Sequence, residues 1–531
     1  PKSLKTTFEL NENKFKEFDK TLRNHQNKSV EVVEGESIGQ INLPTGTGKT
    51  YVQKHIHIQD MIEKTKNNQA GVYVIAAHRL ALCTQLFNEV LDLLIQCGIK
   101  ADMIYVGSER YNFDKLNKKY LHLGYAVEGL EGNQTTCSTT VKEKVSQAKA
   151  KDRHTIIVST YHSLSRLEKL DCIDIATFDE AHTTTSEMFT ENIQAIKDII
   201  QRQFYFTATR RIKGEDGGQN NEEFYGKVLY EMSPREAIEL GEIVQPRLHL
   251  IKNDKLYDVD IDSNPEMMVH TVIDSFEKHR NKIKSTSANP DRIDAKILIT
   301  VNGLKELHSI INNAIFQDYC TTNKIKTFAF SSDEGEFIDF KSANRQQALD
   351  TMSSLDNNQP AILFHYDILT EGIDLPAITG ILLLRDLPTT KLLQNIGRGA
   401  RLLLEDRIKL YSEEISPREV LKMTKPFCWV ILPTYLKTLQ DSKKLKEMIL
   451  TIRETYDVPF EEMGETDSAL AEKDHEIERV TEKEKKKKKG KTDNLQHIFE
   501  QILIEELHNQ IANSLNPKEE LIKYLEKLDA N

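Results

Sequence analysis

Leu43-Pro44-Thr45-Gly46-Thr47-Gly48-Lys49-Thr50 is the stretch on which the reading of this chain turns. A partly apolar run, Ile38, Ile41 and Leu43, leads into it and suits a buried strand. Gly46 and Gly48 then allow a sharp turn that brings backbone N–H groups close to a phosphate, with no Cβ in the way. A helix starting at about Thr50 adds unpaired N–H groups and a partial positive charge. In such a loop Thr45, Gly46, Thr47 and Gly48 cradle phosphates. Lys49 reaches the β- and γ-phosphates, and the Thr50 hydroxyl ligates Mg²⁺. The usual pattern wants Gly where this chain has Leu43.

The partner of such a loop is an acidic strand end. Ile173, Ile175, Ala176 and Phe178 lead into Asp179-Glu180-Ala181-His182. Carboxylates at the carboxyl end of a parallel strand sit where open α/β sheets bind ligands. Asp179 is expected to hold Mg²⁺ and Glu180 to position and deprotonate a water. An isolated Asp-Glu pair is most often a solvated turn. The apolar run before it and the loop upstream argue against that here.

Together the two segments resemble the DEAH-type superfamily 2 helicases and translocases. In motif wording they are closest to restriction-enzyme motor subunits and phage recombination and repair DNA helicases. The resemblance extends along the chain. Thr207-Ala208-Thr209 is similar to the motif that couples hydrolysis to movement, with His182 and Gln394 in linked roles. Leu22-Arg23-Asn24-His25-Gln26 resembles the adenine-reading segment, with Gln26 at the base edge. Thr370-Glu371-Gly372-Ile373-Asp374 resembles a nucleotide-contacting motif, in which Gly372 and Asp374 face the cofactor and Thr370 the nucleic acid. Gln394-Asn395-Ile396-Gly397-Arg398-Gly399-Ala400-Arg401 resembles the arginine-finger motif. A delocalised cation suits charge building on a γ-phosphoryl group. Arg401 is the first choice for that role, with Arg398 beside it.

The resemblance implies two tandem RecA-like α/β domains with parallel sheets. Their expected bounds are a tail at 1–19, an ATP-binding domain at 20–212, a linker at 213–247 and a second domain at 248–437. A charged helical extension follows at 438–531. Strand patterns at Gly71–Ala77, Thr155–Val158, Ala295–Thr300, Ala361–Phe364 and Ile381–Leu384 alternate with helical spacing such as Leu82, Leu86, Val90 and Leu93. Residues 108–150 read as a polar surface excursion. The resemblance also places Arg79, Thr160, Asn302 and Thr370 against a nucleic-acid backbone. Thr160 reads equally well as a helix N-cap.

The chain has 531 residues, a net charge of −11 and 39% hydrophobic residues, an ordinary globular composition. No run approaches the ~20 apolar residues of a spanning helix. There is no apolar leader, and the first residue is Pro1, as in a processed or excised form. Six cysteines without a Cys-x-x-Cys pair speak against a zinc ribbon or a disulfide framework and fit a reduced, intracellular setting. Cys172 is expected in the core. Lys485–Lys489 reads as a solvated basic linker, and Leu495, Ile498, Phe499, Ile502, Leu503 and Leu507 as a helix face that packs on the rest of the chain or on a protein partner.

The expected function is an ATP- and Mg²⁺-dependent helicase or translocase, with DNA favoured over RNA and no membrane association. The alternatives are an RNA helicase, a duplex translocase subunit of a restriction-like complex, and a binding module with a decayed ATPase.

Overall fold

A computed structural model describes residues 5–6, 9–108, 113–122, 125–126, 133–214, 217–251, 265–301, 303–330, 336–365, 377–385, 387–433, 442–456 and 464–466. The chain divides into two units. The first covers Pro1–Ile243, and the second begins at Val244.

Among the described residues the main sheet of the first unit has eight strands. They are β1 (Ile38–Asn42), β2 (Val72–Ala77), β3 (Ala101–Val106), β4 (Gln134–Thr135), β5 (His154–Thr160), β6 (Ile173–Phe178), β7 (Ile200–Thr207) and β8 (Val228–Glu231). Their spatial order is β8-β1-β7-β6-β2-β5-β3-β4, and every pairing is parallel. The near-continuous apolar runs of β2 and β5 follow from burial on both faces.

Helices supply the cover: α1 (Glu12–Asp19), α2 (Asn24–Glu31), α3 (Lys49–Lys66), α4 (Leu80–Cys97), α5 (Phe113–His122), α6 (Ser138–Lys149), α7 (Glu187–Lys197), α8 (Glu222–Tyr225) and α9 (Pro234–Glu239). α4 ends at Gly98, whose φ of 64° is the left-handed stop that glycine allows. The core under the site is aromatic. Phe178 and Tyr205 stack with ring centroids 4.7 Å apart, and both are fully buried.

Three expectations change here. Residues 134–149 are not a bare excursion. β4 extends the sheet beside β3, and α6 buries Val141 and Ala148. Residues 213–247 are not simply a linker. β8 pairs with β1, and α9 is capped by the Ser233 side chain, which accepts the Glu236 N–H at 3.0 Å. Cys172 lies just before β6, half-exposed, and accepts from Gln201 Nε2 at 3.1 Å. The buried cysteines are Cys83, Cys97, Cys320 and Cys428.

Among the described residues the sheet of the second unit has nine strands: β9 (Gln245–Ile251), β10 (Lys296–Thr300), β11 (Lys326–Phe330), β12 (Glu336–Ile338), β13 (Lys341–Ala343), β14 (Ala361–His365), β15 (Gly380–Leu383), β16 (Phe427–Pro433) and β17 (Gly464–Thr466). Their order is β13-β12-β11-β14-β10-β15-β16-β9-β17, antiparallel only at the β11-β12-β13 edge. Its helices are α10 (Pro265–Thr286), α11 (Leu304–Ile311), α12 (Ala314–Thr322), α13 (Arg345–Ser353), α14 (Thr389–Gly399), α15 (Leu404–Tyr411) and α16 (Ser442–Tyr456). α14 lies close on β16, because a Cβ on Gly399 would come within 2.4 Å of Cys428 Sγ. The Lys-rich run and the apolar face at 495–507 lie outside the described residues. Two RecA-like α/β domains with parallel sheets are therefore the architecture.

Candidate nucleotide-binding site

Because the first sheet is wholly parallel, the carboxyl ends of its strands share one edge. β1 delivers the phosphate loop there, β7 delivers Thr207 and β6 delivers Asp179. The two strands beyond β6 deliver His78-Arg79 and Thr160, and Ala77 is in register with Thr160.

The loop is built as its glycines suggest. Gly46 and Gly48 have φ of 92° and 86°, and Gly48 caps α3, which begins at Lys49. The Thr47 hydroxyl turns inward and donates to Pro44 O at 2.7 Å. Leu43 explains its own departure from the pattern. Its side chain is fully buried, and its N–H continues the ladder to Thr207 O at 2.9 Å. Lys49 Nζ lies 3.5 Å from Leu43 O and 3.6 Å from Glu180 Oε1. Thr50 is half-buried in the first turn of α3.

Behind the loop lies a network that the sequence did not announce. Thr47 O accepts from Gln26 Nε2 at 3.0 Å, from His25 Nε2 at 2.8 Å and from the Arg23 guanidinium. Gln26 Oε1 accepts the Arg23 N–H at 2.9 Å. Arg23 also pairs with buried Glu242, whose other oxygen is 3.5 Å from His25 Nδ1. Burial pushes His25 down to about 4, reinforced by the Arg23 charge and opposed by the Thr47 carbonyl. His25 is thus neutral and donates through Nε2. Gln26, expected at an adenine edge, is 1% exposed here and bonded to the loop's own carbonyls.

The acidic motif is equally ordered. The Asp179 N–H donates to Ala76 O at 2.8 Å, and its Oδ1 accepts from Gln53 Nε2 at 3.0 Å. Gln53 lies one turn after Lys49 on α3, a spacing that could have flagged it. Tyr161 Oη donates to Asp179 O at 2.5 Å. Burial and then the Glu180 charge raise the Asp179 carboxyl, while Lys49 and Gln53 lower it. Glu180 has φ of 52°, a conformation that costs a non-glycine residue about 1–3 kcal/mol. In this conformation its carboxylate lies 3.6 Å from Lys49 Nζ.

His182 links this motif to the next strand. Its Nδ1 is 3.5 Å from Glu180 Oε2 and 3.2 Å from Thr207 Oγ1. Thr207 Oγ1 donates to Thr209 O at 2.9 Å and accepts the Thr209 N–H at 3.3 Å. The hydroxyl's one proton is thereby used, so His182 donates from Nδ1. The structure brings His182, Thr207 and Thr209, the residues expected to couple hydrolysis to movement, together beside Glu180.

Thr160 stands at the N-cap position of the helical turn Tyr161–Leu167, but its hydroxyl donates to Ser163 Oγ at 3.2 Å rather than capping backbone. Arg79 is half-buried and stands at the N-cap position of α4. In the second unit, Arg398 is 4% exposed in the last turn of α14, while Gln394 and Arg401 are half-buried. Asn302, Thr370, Gly372 and Asp374 lie outside the described residues.

Residues 19–212 match the family model of the type III restriction enzyme res subunit. The matched residues all lie within the first unit. No curated protein sequence matches the chain. Among solved structures, the fold is similar to the ATP-dependent type ISP restriction-modification enzyme LlaBIII bound to DNA. That match has 14% identity and a TM-score of 0.56, covering 84% of this chain and 31% of that one. It is also similar to a nuclease-deletion mutant of the type ISP enzyme LlaGI in complex with a DNA substrate mimic, at 14% identity and TM-score 0.54, covering 93% and 34%. The DEAD-box helicase Mss116 bound to ssRNA and UDP-BeF matches at 16% identity and TM-score 0.52, covering 91% and 81%. The chain spans about a third of the length of the two restriction-modification enzymes. Among the described residues no helix is long and apolar enough to cross a membrane.

Proposed function

We propose that the chain is an ATP-dependent motor that moves along nucleic acid, with DNA favoured over RNA. The observation that carries this reading is the single sheet edge on which Lys49, Asp179, Glu180 and Thr207 converge, with Arg79 and Thr160 on the next two strands. Nucleotide chemistry and a strand-holding surface are then neighbours on one rigid element. The restriction-enzyme family match of residues 19–212 favours DNA, and it favours duplex translocation within a larger assembly over strand separation as the second reading.

In this mechanism the N–H groups of residues 46–50 and the Lys49 ammonium hold the β- and γ-phosphates. Phosphates arriving at Lys49 displace it from Glu180, which frees that carboxylate to orient a water and accept its proton. The His182 Nδ1–H donates to Thr207 and lies 3.5 Å from Glu180, so the position of Glu180 is linked to Thr207 through His182. Arg401 and Arg398 supply positive charge to the γ-phosphoryl group in the transition state. Thr50 and Asp179 would hold Mg²⁺, which supplies further charge neutralisation at the phosphates. The donor set fits that ion: hard oxygens and few protein ligands, the rest coming from phosphate and water. Gln26 is proposed to read the adenine edge only after releasing the loop carbonyls.

The test is the ATPase rate of the full chain with no nucleic acid, single-stranded DNA, duplex DNA and single-stranded RNA. Stimulation by DNA and loss of turnover in Glu180→Gln are expected. Equal stimulation by RNA would overturn the DNA preference, and near-normal turnover in Glu180→Gln would overturn the active-site assignment.

A further inference from the structure

α14 ends at a short turn, Gly399-Ala400-Arg401, and every carbonyl of that turn is held. Gly399 O and Arg401 O each accept from Lys425 Nζ at 2.6 Å. Ala400 O accepts the Val244 N–H at 2.8 Å. The Ala400 N–H closes the last helical bond, to Ile396 O at 2.8 Å. Lys425 is fixed in turn. Its own N–H and that of Thr424 donate to Asp406, at 2.8 Å to Oδ2 and 2.7 Å to Oδ1, and Asp406 is fully buried.

A lysine with no exposed surface is expensive to keep, because removing an ammonium from water costs several kcal/mol. Here the negative end of α14 and the two carbonyls offset that loss. Burial nevertheless lowers the Lys425 ammonium to about 8, with Arg401 and Lys296 reinforcing the shift and Cys428 and Asp406 opposing it. A helix end can be closed far more cheaply by glycine or by water. A buried cation reaching both sides of one residue does something those cannot. It fixes the direction in which the chain leaves the helix, and that direction aims the Arg401 side chain.

We propose that Lys425, held by Asp406, is the positioning residue for Arg401, clamping the Gly399–Arg401 turn so that the guanidinium is presented in one orientation. The proposal rests on the reading of Arg401 as the cation for the γ-phosphoryl group. A misplacement of about 1 Å in such a group costs on the order of 10²-fold in turnover.

The experiment is a double-mutant cycle in the full chain, with steady-state ATPase at saturating nucleic acid and a separate titration with a fluorescent ATP analogue. Lys425→Met keeps the volume and removes the donor. It is expected to lower kcat on the order of 10²-fold. Analogue affinity should stay within about twofold, since the variant does not touch the phosphate loop. On the Arg401→Ala background it should lower kcat by less than about twofold further, the mark of two residues acting as one unit. Lys425→Gln retains amide donors and carries the same test if the Met variant does not fold. It should lose less and show the same non-additivity. An undiminished loss on the Arg401→Ala background, or a parallel loss of analogue binding, would overturn the positioning role alone. Normal turnover in Arg401→Ala would overturn the finger assignment and the positioning with it.

Discussion

Gly48→Ala is the perturbation whose outcome the structure specifies most fully. Gly48 has φ of +86°, and a Cβ there would come within 2.3 Å of Gln26 Nε2 and 2.6 Å of the Arg23 guanidinium. The left-handed backbone alone costs alanine about 1–2 kcal/mol. Gln26 must also leave, breaking its bonds to Thr47 O and Gly48 O, each worth roughly 1 kcal/mol. The sum is about 3–4 kcal/mol. Part of it is relieved by letting the loop shift, and its N–H groups then no longer converge on phosphate. If about 2–3 kcal/mol appears in binding, ATP affinity falls roughly 30- to 150-fold.

Gly35→Ala is the matched control. It has φ of +79° with no atom within 4 Å of the added Cβ, so only the backbone term applies. That term should lower Tm by a few degrees, roughly 2–4 °C per kcal/mol. ATP affinity should not change. The assay is equilibrium titration with a fluorescent ATP analogue alongside thermal unfolding for both variants. If the two lose affinity equally, or Gly48→Ala binds normally, the Gln26 and Arg23 support of the loop is not what holds it.

Further outcomes follow from the same geometry. Lys49→Ala and Glu180→Gln should each abolish ATP turnover while circular dichroism and Tm remain near those of the parent, because neither side chain belongs to the apolar core under the sheet. Arg401→Ala should reduce kcat by about 10³-fold or more with nucleotide binding retained, as measured by single-turnover hydrolysis against analogue titration. His182→Ala should leave basal ATPase measurable but weaken its stimulation by nucleic acid, since it cuts the link between Glu180 and Thr207. Urea midpoints should fall as pH drops through about 6.5. Burial lowers His25 and His154 to about 4 and His57 to about 3, so below pH 6.5 the unfolded chain binds protons that the folded one refuses. A midpoint that rises or stays flat between pH 7 and 5 would contradict that assignment.

The sheet was legible because its strands are buried on both faces and read as apolar runs between helical repeats. The phosphate loop and acidic motif were legible because their chemistry needs particular residues at fixed spacing. Glu242 was not, since nothing near it in sequence says that it reaches Arg23 and His25. Lys425 was not either. A lysine reads as solvated until a fold shows it with carbonyls on two sides. Cys172 misled in the opposite direction: an apolar stretch runs through it, but the strand begins one residue later. The Gln26 segment was singled out by its resemblance to a motif, yet its bonds to the loop carbonyls are visible only in three dimensions.

β6 has a particular place in the first sheet. On one side it adjoins β7, which with β1 carries the phosphate loop and Thr207. On the other it adjoins β2, which with β5 carries Arg79 and Thr160. Neighbouring strands lie about 4.8 Å apart, so Glu180 and the strands that carry Arg79 and Thr160 are only a few strand widths apart. Under the proposed function no relay through the protein is needed between them. A rotation of the Glu180 peptide, or a displacement of β6 by a fraction of its own width, would itself move the surface proposed to hold the strand.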